Sequence, residues 1–353
     1  MKKQKILVTG GAGFIGSAMV RSLLGMNFDV VVLDALTYAA AGGWDNISEA
    51  EFPHVERIKG DVCDMDVCVA ACHGCWGVIH MAAESHVTRS EQAPEHFRLV
   101  NVKGTENVLK AARHFGVERI VHMSTDEVYG PAVVDQFFRE DEKLPGIGQA
   151  TSPYAQSKAI ADETAIMLAQ AGAPVMVVRS TNAFGPRQDP EKMMPRSITR
   201  LLQNEKVQLW TRYDAEGKMI EDWPVRDWLY VDDACSGILT VLLKGEIGEV
   251  YNIGANLKPE LSNFDITRML IENIYWLGAN DWIEFVDFVR DPRPMHDRRY
   301  GVNTDKITVL GWRPRTSFIE GLKKTVAWYT KNSAWWQNRV RIAEELYRQD
   351  KGR

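Results

Sequence analysis

No stretch of the chain reaches the roughly 18 consecutive apolar residues that a membrane-spanning helix requires, so no membrane partner is expected. The start, MKKQKILVTG, has too short an apolar run for a secretion signal and passes straight into a glycine-rich turn. Basic clusters are missing as well. Lys and Arg number 42 against 47 Asp and Glu, a formal charge of −5, which speaks against nucleic acid as a partner. There are no internal repeats and no low-complexity tracts. Cysteine is sparse, five in 353 residues. Four of them, Cys63, Cys68, Cys72 and Cys75, lie close together around His73 and raise the reading of a zinc cluster. Their spacing does not repeat the paired C-x2-C of a zinc ribbon, and a helix over 65–73 would scatter them around its surface. No metal is therefore expected, and reduced thiols in a cytoplasmic protein are the default.

What remains is the make-up of an ordinary globular protein, 45% hydrophobic and 25% charged. Its 353 residues suggest one large or two modest domains. Short apolar runs at 5–9 (KILVT), 29–33 (DVVVL), 55–59, 77–80, 119–123 and 174–179 read as strands. Helical stretches over 14–24, 94–115 and 153–171 alternate with them. This is the pattern of βαβ units and predicts an α/β fold with a doubly wound parallel sheet. Beyond residue 182 the pattern turns irregular, with Pro186, Pro190 and Pro195 close together. Residues 1–181 are read as the core domain, with some later segments returning to it, 182–330 as a smaller α/β substrate-binding domain, and 331–353 as a helical tail. The tail, with Trp335, Trp336 and a charged run, is expected to be a solvated terminal helix.

Gly10, Gly13 and Gly16 follow the first strand and open the first helix. Such a turn lets backbone approach a pyrophosphate closely, while the helix N-terminus offers N–H groups to the anion. Inside a βαβ unit the pattern points to a dinucleotide. Asp34 ends the second strand, where a carboxylate accepts hydrogen bonds from ribose hydroxyls and repels a 2′-phosphate. No arginine follows it directly, so NAD is favoured over NADP. Further on, Tyr154 and Lys158 are four residues apart, on one face of a predicted helix. A nearby ammonium and a nicotinamide cation favour the phenolate, bringing the tyrosine pKa toward working pH.

The strings TGGAGFIGS (9–17), LDALTY (33–38), GDV (60–62), HMAAESHV (80–87), STDEVYG (124–130), SPYAQSK (152–158), FGPRQDPEKMMP (184–195), VRDWLYVDD (225–233), YNIG (251–254) and RPMHDRRY (293–300) resemble those of the extended short-chain dehydrogenases/reductases. Within that group the chain is similar to the nucleoside-diphosphate-sugar 4,6-dehydratases, the dTDP-glucose type being the nearest pattern. The resemblance runs over most of the chain, from residue 5 to about 330. It implies a Rossmann-type sheet, NAD as cofactor, a nucleoside-diphosphate sugar as substrate and a homodimer built on helices near 94–115 and 153–171. It also implies a reaction in three parts: oxidation at C4, loss of water across C5–C6, and reduction at C6. The elimination needs a base at C5 and an acid at the C6 hydroxyl, which two adjacent carboxyl groups can divide if their environments separate their pKa values.

By that resemblance Asp126 is the acid, Glu127 the base, Thr125 a hydrogen-bond partner of the C4 hydroxyl, and Tyr154 the group that takes the hydroxyl proton, tuned by Lys158. The cofactor contacts it implies are Gly10, Gly13, Phe14, Ile15, Gly16, Asp34, Leu36, Thr37, Asp61, Val62, Ala82, Ala83 and Glu84, with Tyr154 and Lys158. The substrate contacts are Ser85, Thr125, Asn182, Lys192, Met193, Leu209, Trp210, Arg226, Asn263, Arg293 and His296. Lys192 and Arg226 suit a diphosphate as point charge and fork, or are ordinary ion-pair residues. Departures from the family pattern gather around the pocket. Thr88, Val100, Ala183 and Met295 replace an aspartate, a threonine, an asparagine and a glycine, and a longer insert follows Trp210 through 224. Trp210 either stacks on the base or packs in the core. The reaction class is thus better defined than the nucleotide, and a UDP-sugar or a modified sugar is an open alternative, as is an epimerase or decarboxylase on the same fold.

Overall fold

The computed structural model describes residues 3–40, 43–144, 152–275, 281–291 and 297–351. Six strands form in the first half: β1 (Lys5–Thr9), β2 (Asp29–Asp34), β3 (Glu56–Lys59), β4 (Gly77–His80), β5 (Arg119–Thr125) and β6 (Val175–Ser180). In the second half come β7 (Asn182–Phe184), β8 (Val207–Tyr213), β9 (Met219–Ile220), β10 (Val225–Arg226), β11 (Trp228–Tyr230), β12 (Val250–Ile253), β13 (Leu261–Ser262) and β14 (Val286–Arg290). Seven of them make one parallel sheet in the order β12-β6-β5-β4-β1-β2-β3. That is the doubly wound Rossmann order with one extra strand beyond β6.

Alternate residues of these strands serve different faces. Ile6, Val8, Val30, Val32 and Ile79 enter one core with the helix Phe14–Gly25, and Leu7, Val31, Leu33 and Val78 enter a second with Cys68, Cys72 and Cys75. A sheet covered on both faces explains why its strands read as unbroken apolar runs. It also gives those three cysteines a packing role: Cys68 donates to the Val62 carbonyl and Cys75 to that of Ala71. A third core, around Phe184, Leu270, Phe318 and Tyr329, lies in the C-terminal half.

The structure differs from the sequence expectations at the end of β5, within the helix 94–115 and in the tail. β5 runs on to Thr125, because Ser124 and Thr125 still pair with Arg179 and Ser180 of β6. The expected helix 94–115 is broken into Pro94–Arg98, a π-helical turn Leu99–Lys103 and Gly104–His114. The later segments that share the large sheet's cores are β12, which pairs with β6, and the helix Val231–Lys244, which packs on Phe14–Gly25. Finally, the tail helix Ser333–Lys351 is docked at its start rather than solvated, with Trp336 and Arg339 each only 3% exposed.

Candidate active site

The strand order reverses between β1 and β4, and a cleft opens at their carboxyl ends, as doubly wound sheets require. The cavity there encloses about 550 Å³. Its floor is the glycine turn. Gly10 has φ +70°, and a Cβ there would lie 2.9 Å from the backbone of Ala82. A Cβ on Gly16 would come within 2.1 Å of the Gly10 carbonyl. Backbone therefore passes where no side chain fits, and the helix Phe14–Gly25 begins without a side-chain cap. Asp34 lines the same wall. Its carboxylate accepts from the N–H groups of Ala12 at 2.9 Å and Leu36 at 2.8 Å, so it braces the turn it faces. Burial pushes its pKa up, and those two N–H groups oppose the rise. A tight anion-facing turn beside a ribose-facing carboxylate fits NAD.

Ala82–Glu84, on the other side of the cleft, is held by a directed hydrogen-bond chain. Thr9 Oγ1 accepts from the N–H groups of Met81 and Ala82, both at 3.1 Å, and so donates to His80 Nδ1 at 2.7 Å. His80 Nε2–H then donates to Thr105, whose hydroxyl donates to the Asn101 carbonyl. Burial lowers the His80 pKa to about 3, which keeps this imidazole neutral. Asn101 sits in the π-helical turn. Its amide oxygen accepts from Glu84 N–H, and its amide nitrogen donates to Glu84 O and to Ser157 on the helix Pro153–Gln170. The break in the helix is thus what links the cofactor wall to the helix bearing Tyr154 and Lys158.

β5 delivers Thr125, Asp126 and Glu127 to the middle of the cavity. Thr125 caps the short 3-10 turn Asp126–Tyr129, accepting from Glu127 N–H at 3.3 Å and donating to Asp126 at 3.1 Å. Asp126 is 3% exposed. Burial first, then repulsion from Glu127, raises its pKa to about 8, against the pull of Arg226. That environment favours the protonated form of Asp126 well above the usual carboxylate range. Tyr154 is also raised, by burial and then by Glu127, with a Thr125 hydrogen bond opposing. The expected depression is thus not present in the protein alone. Lys158 donates instead to the Met123 carbonyl at 2.6 Å, and burial brings its own pKa down to about 8.

The far wall belongs to the C-terminal half. Asn182 enters from β7, paired with β11. Lys192 donates to Ser85 O at 3.0 Å and pairs with Glu191 at 3.4 Å. Arg226, 7% exposed, donates to Val225 O and Asp297 O and lies 4.4 Å over the Tyr300 ring. Asn263 also lines the wall, and its buried amide oxygen has no hydrogen-bond partner among the described residues, an acceptor left for a ligand. Leu209 and Trp210 line the far end. The insert after Trp210 closes as a hairpin of β8 and β9, and β14 lies beside β8.

The cavity thus gathers the residues the sequence singled out, with three exceptions. Leu36 does not line it: held at φ +55°, it contributes its N–H to Asp34 instead. Arg293 and His296 lie outside the described residues. Tyr300 and Glu191 were missed although both sit in the quoted strings. Tyr300 lines the cavity and donates to Asp297 at 2.6 Å. Glu191 lies at its edge among Lys192, Arg89 and His86. The signal available was an aromatic and an acid next to candidate cations.

Residues 6–254 match the NAD dependent epimerase/dehydratase family. The dTDP-glucose 4,6-dehydratase of Streptomyces griseus is 42% identical over 339 residues, 94% of this chain and 96% of that one. The low-salt glycan biosynthesis protein Agl12 of Haloferax volcanii is 40% identical over 327 residues, 92% of this chain and 98% of that one. Among solved structures, DesIV, the dTDP-glucose 4,6-dehydratase of Streptomyces venezuelae with NAD and a second ligand bound, superposes with a TM-score of 0.84 at 38% identity. The match covers 95% of this chain and all of that one.

Proposed function

The chain belongs to the NAD dependent epimerase/dehydratase family, and on that premise we propose that it converts a nucleoside-diphosphate hexose of the dTDP-glucose type to the 4-keto-6-deoxy sugar nucleotide. NAD, when bound, supplies reversible two-electron chemistry, drawing electrons from C4 and giving them back at C6, so no outside oxidant is needed. The residues that would hold it are Gly10, Gly13, Phe14, Ile15, Gly16, Asp34, Thr37, Asp61, Val62 and Ala82–Glu84, all lining the cavity. The sugar nucleotide is held by residues 182–330, with Lys192 and Arg226 toward its diphosphate.

The roles within the pair follow from environment. Asp126, protonated up to about pH 8, gives its proton to the C6 hydroxyl as that group leaves as water. Glu127 removes the C5 proton, which the C4 ketone has made acidic. Thr125 orients the C4 hydroxyl, and Tyr154 takes its proton. Forming that phenolate against burial and Glu127 requires positive charge, which Lys158 would provide, joined by the cationic ring of NAD when it is bound. The observation that carries this reading is the Asp126–Glu127 pair at the end of β5, Asp126 the more buried of the two, both in the cavity with Tyr154.

The test is a screen of dTDP-, UDP-, CDP- and GDP-hexoses, with products identified by NMR. A 4-keto-6-deoxy sugar without net build-up of reduced cofactor is expected. A product that keeps its C6 hydroxyl with one centre inverted, or carbon dioxide released from a matching NDP-hexuronate with no dehydration of the hexoses, would overturn it. A UDP-hexose is the second reading, because Arg196 donating to Gln208 at 3.2 Å places a polar pair at the altered end of the cavity. The protein is further proposed to be a cytoplasmic homodimer. Five unbridged thiols suit a reducing compartment. Leu99 and Met167, 50% and 66% exposed on the expected helices, are apolar side chains that a second copy would cover. Among the described residues no helix is long and apolar enough to cross a membrane.

A further inference from the structure

We propose that the C-terminal helix Ser333–Lys351 clamps the dinucleotide site, with Arg339 and Trp335 as positioning residues that act through the two lips of the cavity. The inference rests on the reading that this cavity binds NAD.

Two threads reach the cofactor lip. Trp335 donates its indole N–H to Asn46 Oδ1 at 3.1 Å, and Asn46 donates its amide to the Ala12 carbonyl, inside the glycine turn, at 2.9 Å. Asn46 is 1% exposed, so this link is dry. Arg339 donates to the carbonyls of Ala39 and Ala40, both at 3.4 Å, and these residues line the cavity on the Asp34 side. Ala39 and Ala40 have no polar side chain with which to anchor that loop. The anchor comes from about 300 residues further along the chain.

The same guanidinium reaches the opposite lip. It pairs with Asp189 at 3.6 Å, and Tyr329 donates its hydroxyl to Gln188 O. Gln188 and Asp189 line the cavity on the substrate side, next to Glu191 and Lys192. Arg339 lies 4.1 Å over the Trp335 ring and is 3% exposed. A buried guanidinium is kept only where its partners offset its lost hydration. Here those partners include both walls of one site, with exposed Asp45 at 3.9 Å as a further one, so a single side chain ties the two walls together.

The test is calorimetric titration of the NAD-free full-length protein with NAD, alongside thermal melting. If the wild type binds no NAD, the dinucleotide reading is what fails. Given wild-type binding, Arg339→Ala is expected to weaken it about ten-fold, the scale of a lost charged hydrogen-bond set. Trp335→Phe keeps the ring and removes the N–H, and should weaken it about three-fold. Arg339→Lys should fall between wild type and Arg339→Ala, and guanidinium ion should partly restore Arg339→Ala. In turnover the effect should fall on KM for NAD more than on kcat. Folded Arg339→Ala and Trp335→Phe proteins that bind NAD within about two-fold of wild type would overturn the clamp. If Arg339→Ala does not fold, Arg339→Lys and Trp335→Phe decide the matter by the same criterion.

Discussion

A carboxyl group with no room for water, set beside a second carboxylate, holds its proton far beyond its usual range. Asp126 is in that position, and its pKa near 8 has consequences for both activity and stability. The elimination step needs its acid form, so the rate should fall on the alkaline side with an apparent pKa near 8. The stability sign follows from linkage. A group raised on folding contributes fully below its unfolded value, about 3.8, and loses that contribution as pH rises through about 8. Asp126→Asn removes that slope. Its melting temperature should match wild type near pH 4 and exceed it by a few degrees at pH 8, while turnover drops by roughly 10²–10⁴. An unchanged difference across pH would show that Asp126 is ionised in the fold. Glu127→Gln should lose turnover on a similar scale but stall after C4 oxidation, with the near-ultraviolet absorbance of reduced nicotinamide accumulating. Absence of that signal together with near-normal turnover would remove Glu127 from its role. This acidic pair was legible in the sequence because it follows an apolar strand. The division of labour within it came from the family resemblance alone, and burial of Asp126 supplies its physical reason.

At the scale of the element, the strand–turn–helix unit 5–25 is readable because every signal in it is local: an apolar run, three glycines, then helical periodicity. The structure adds why Gly10 and Gly16 cannot change. Gly16→Ala would push a methyl to 2.1 Å from the Gly10 carbonyl, so NAD affinity should fall at least about ten-fold, as titration would show. Wild-type affinity in that variant would mean that the turn has slack it does not display. The π-helical turn Leu99–Lys103 was not readable, because residues 94–115 carry one continuous helical pattern. Within that turn Asn101 binds Glu84 and Ser157, 17 residues behind and 56 ahead, contacts that no local pattern signals. The docked start of the terminal helix escaped for the same reason. Its burial depends on Asn46 and Asp189, which no local pattern connects to Trp335 and Arg339.

For the whole molecule, sheet and cleft follow from one fact: the chain turns back between β3 and β4, so the loops after β1 and β4 face each other. The first half of the sequence shows this through its alternation. The second half does not, because its strands are two to seven residues long and pair across loops, and because β12 returns to the sheet 70 residues after the strand it joins. The cavity draws on both halves: Asp34, Asp126, Glu127, Tyr154 and Lys158 line it from one, Lys192, Arg226 and Asn263 from the other. An intact molecule should therefore carry one substrate through oxidation, elimination and reduction without releasing it. The most direct test is to give the enzyme an NDP-hexose deuterated at C4 and locate the label in the product. The label is predicted at C6 of the 4-keto-6-deoxy sugar, transferred within the same molecule. Deuterium still at C4, or lost to solvent with the C6 hydroxyl intact, would contradict the account.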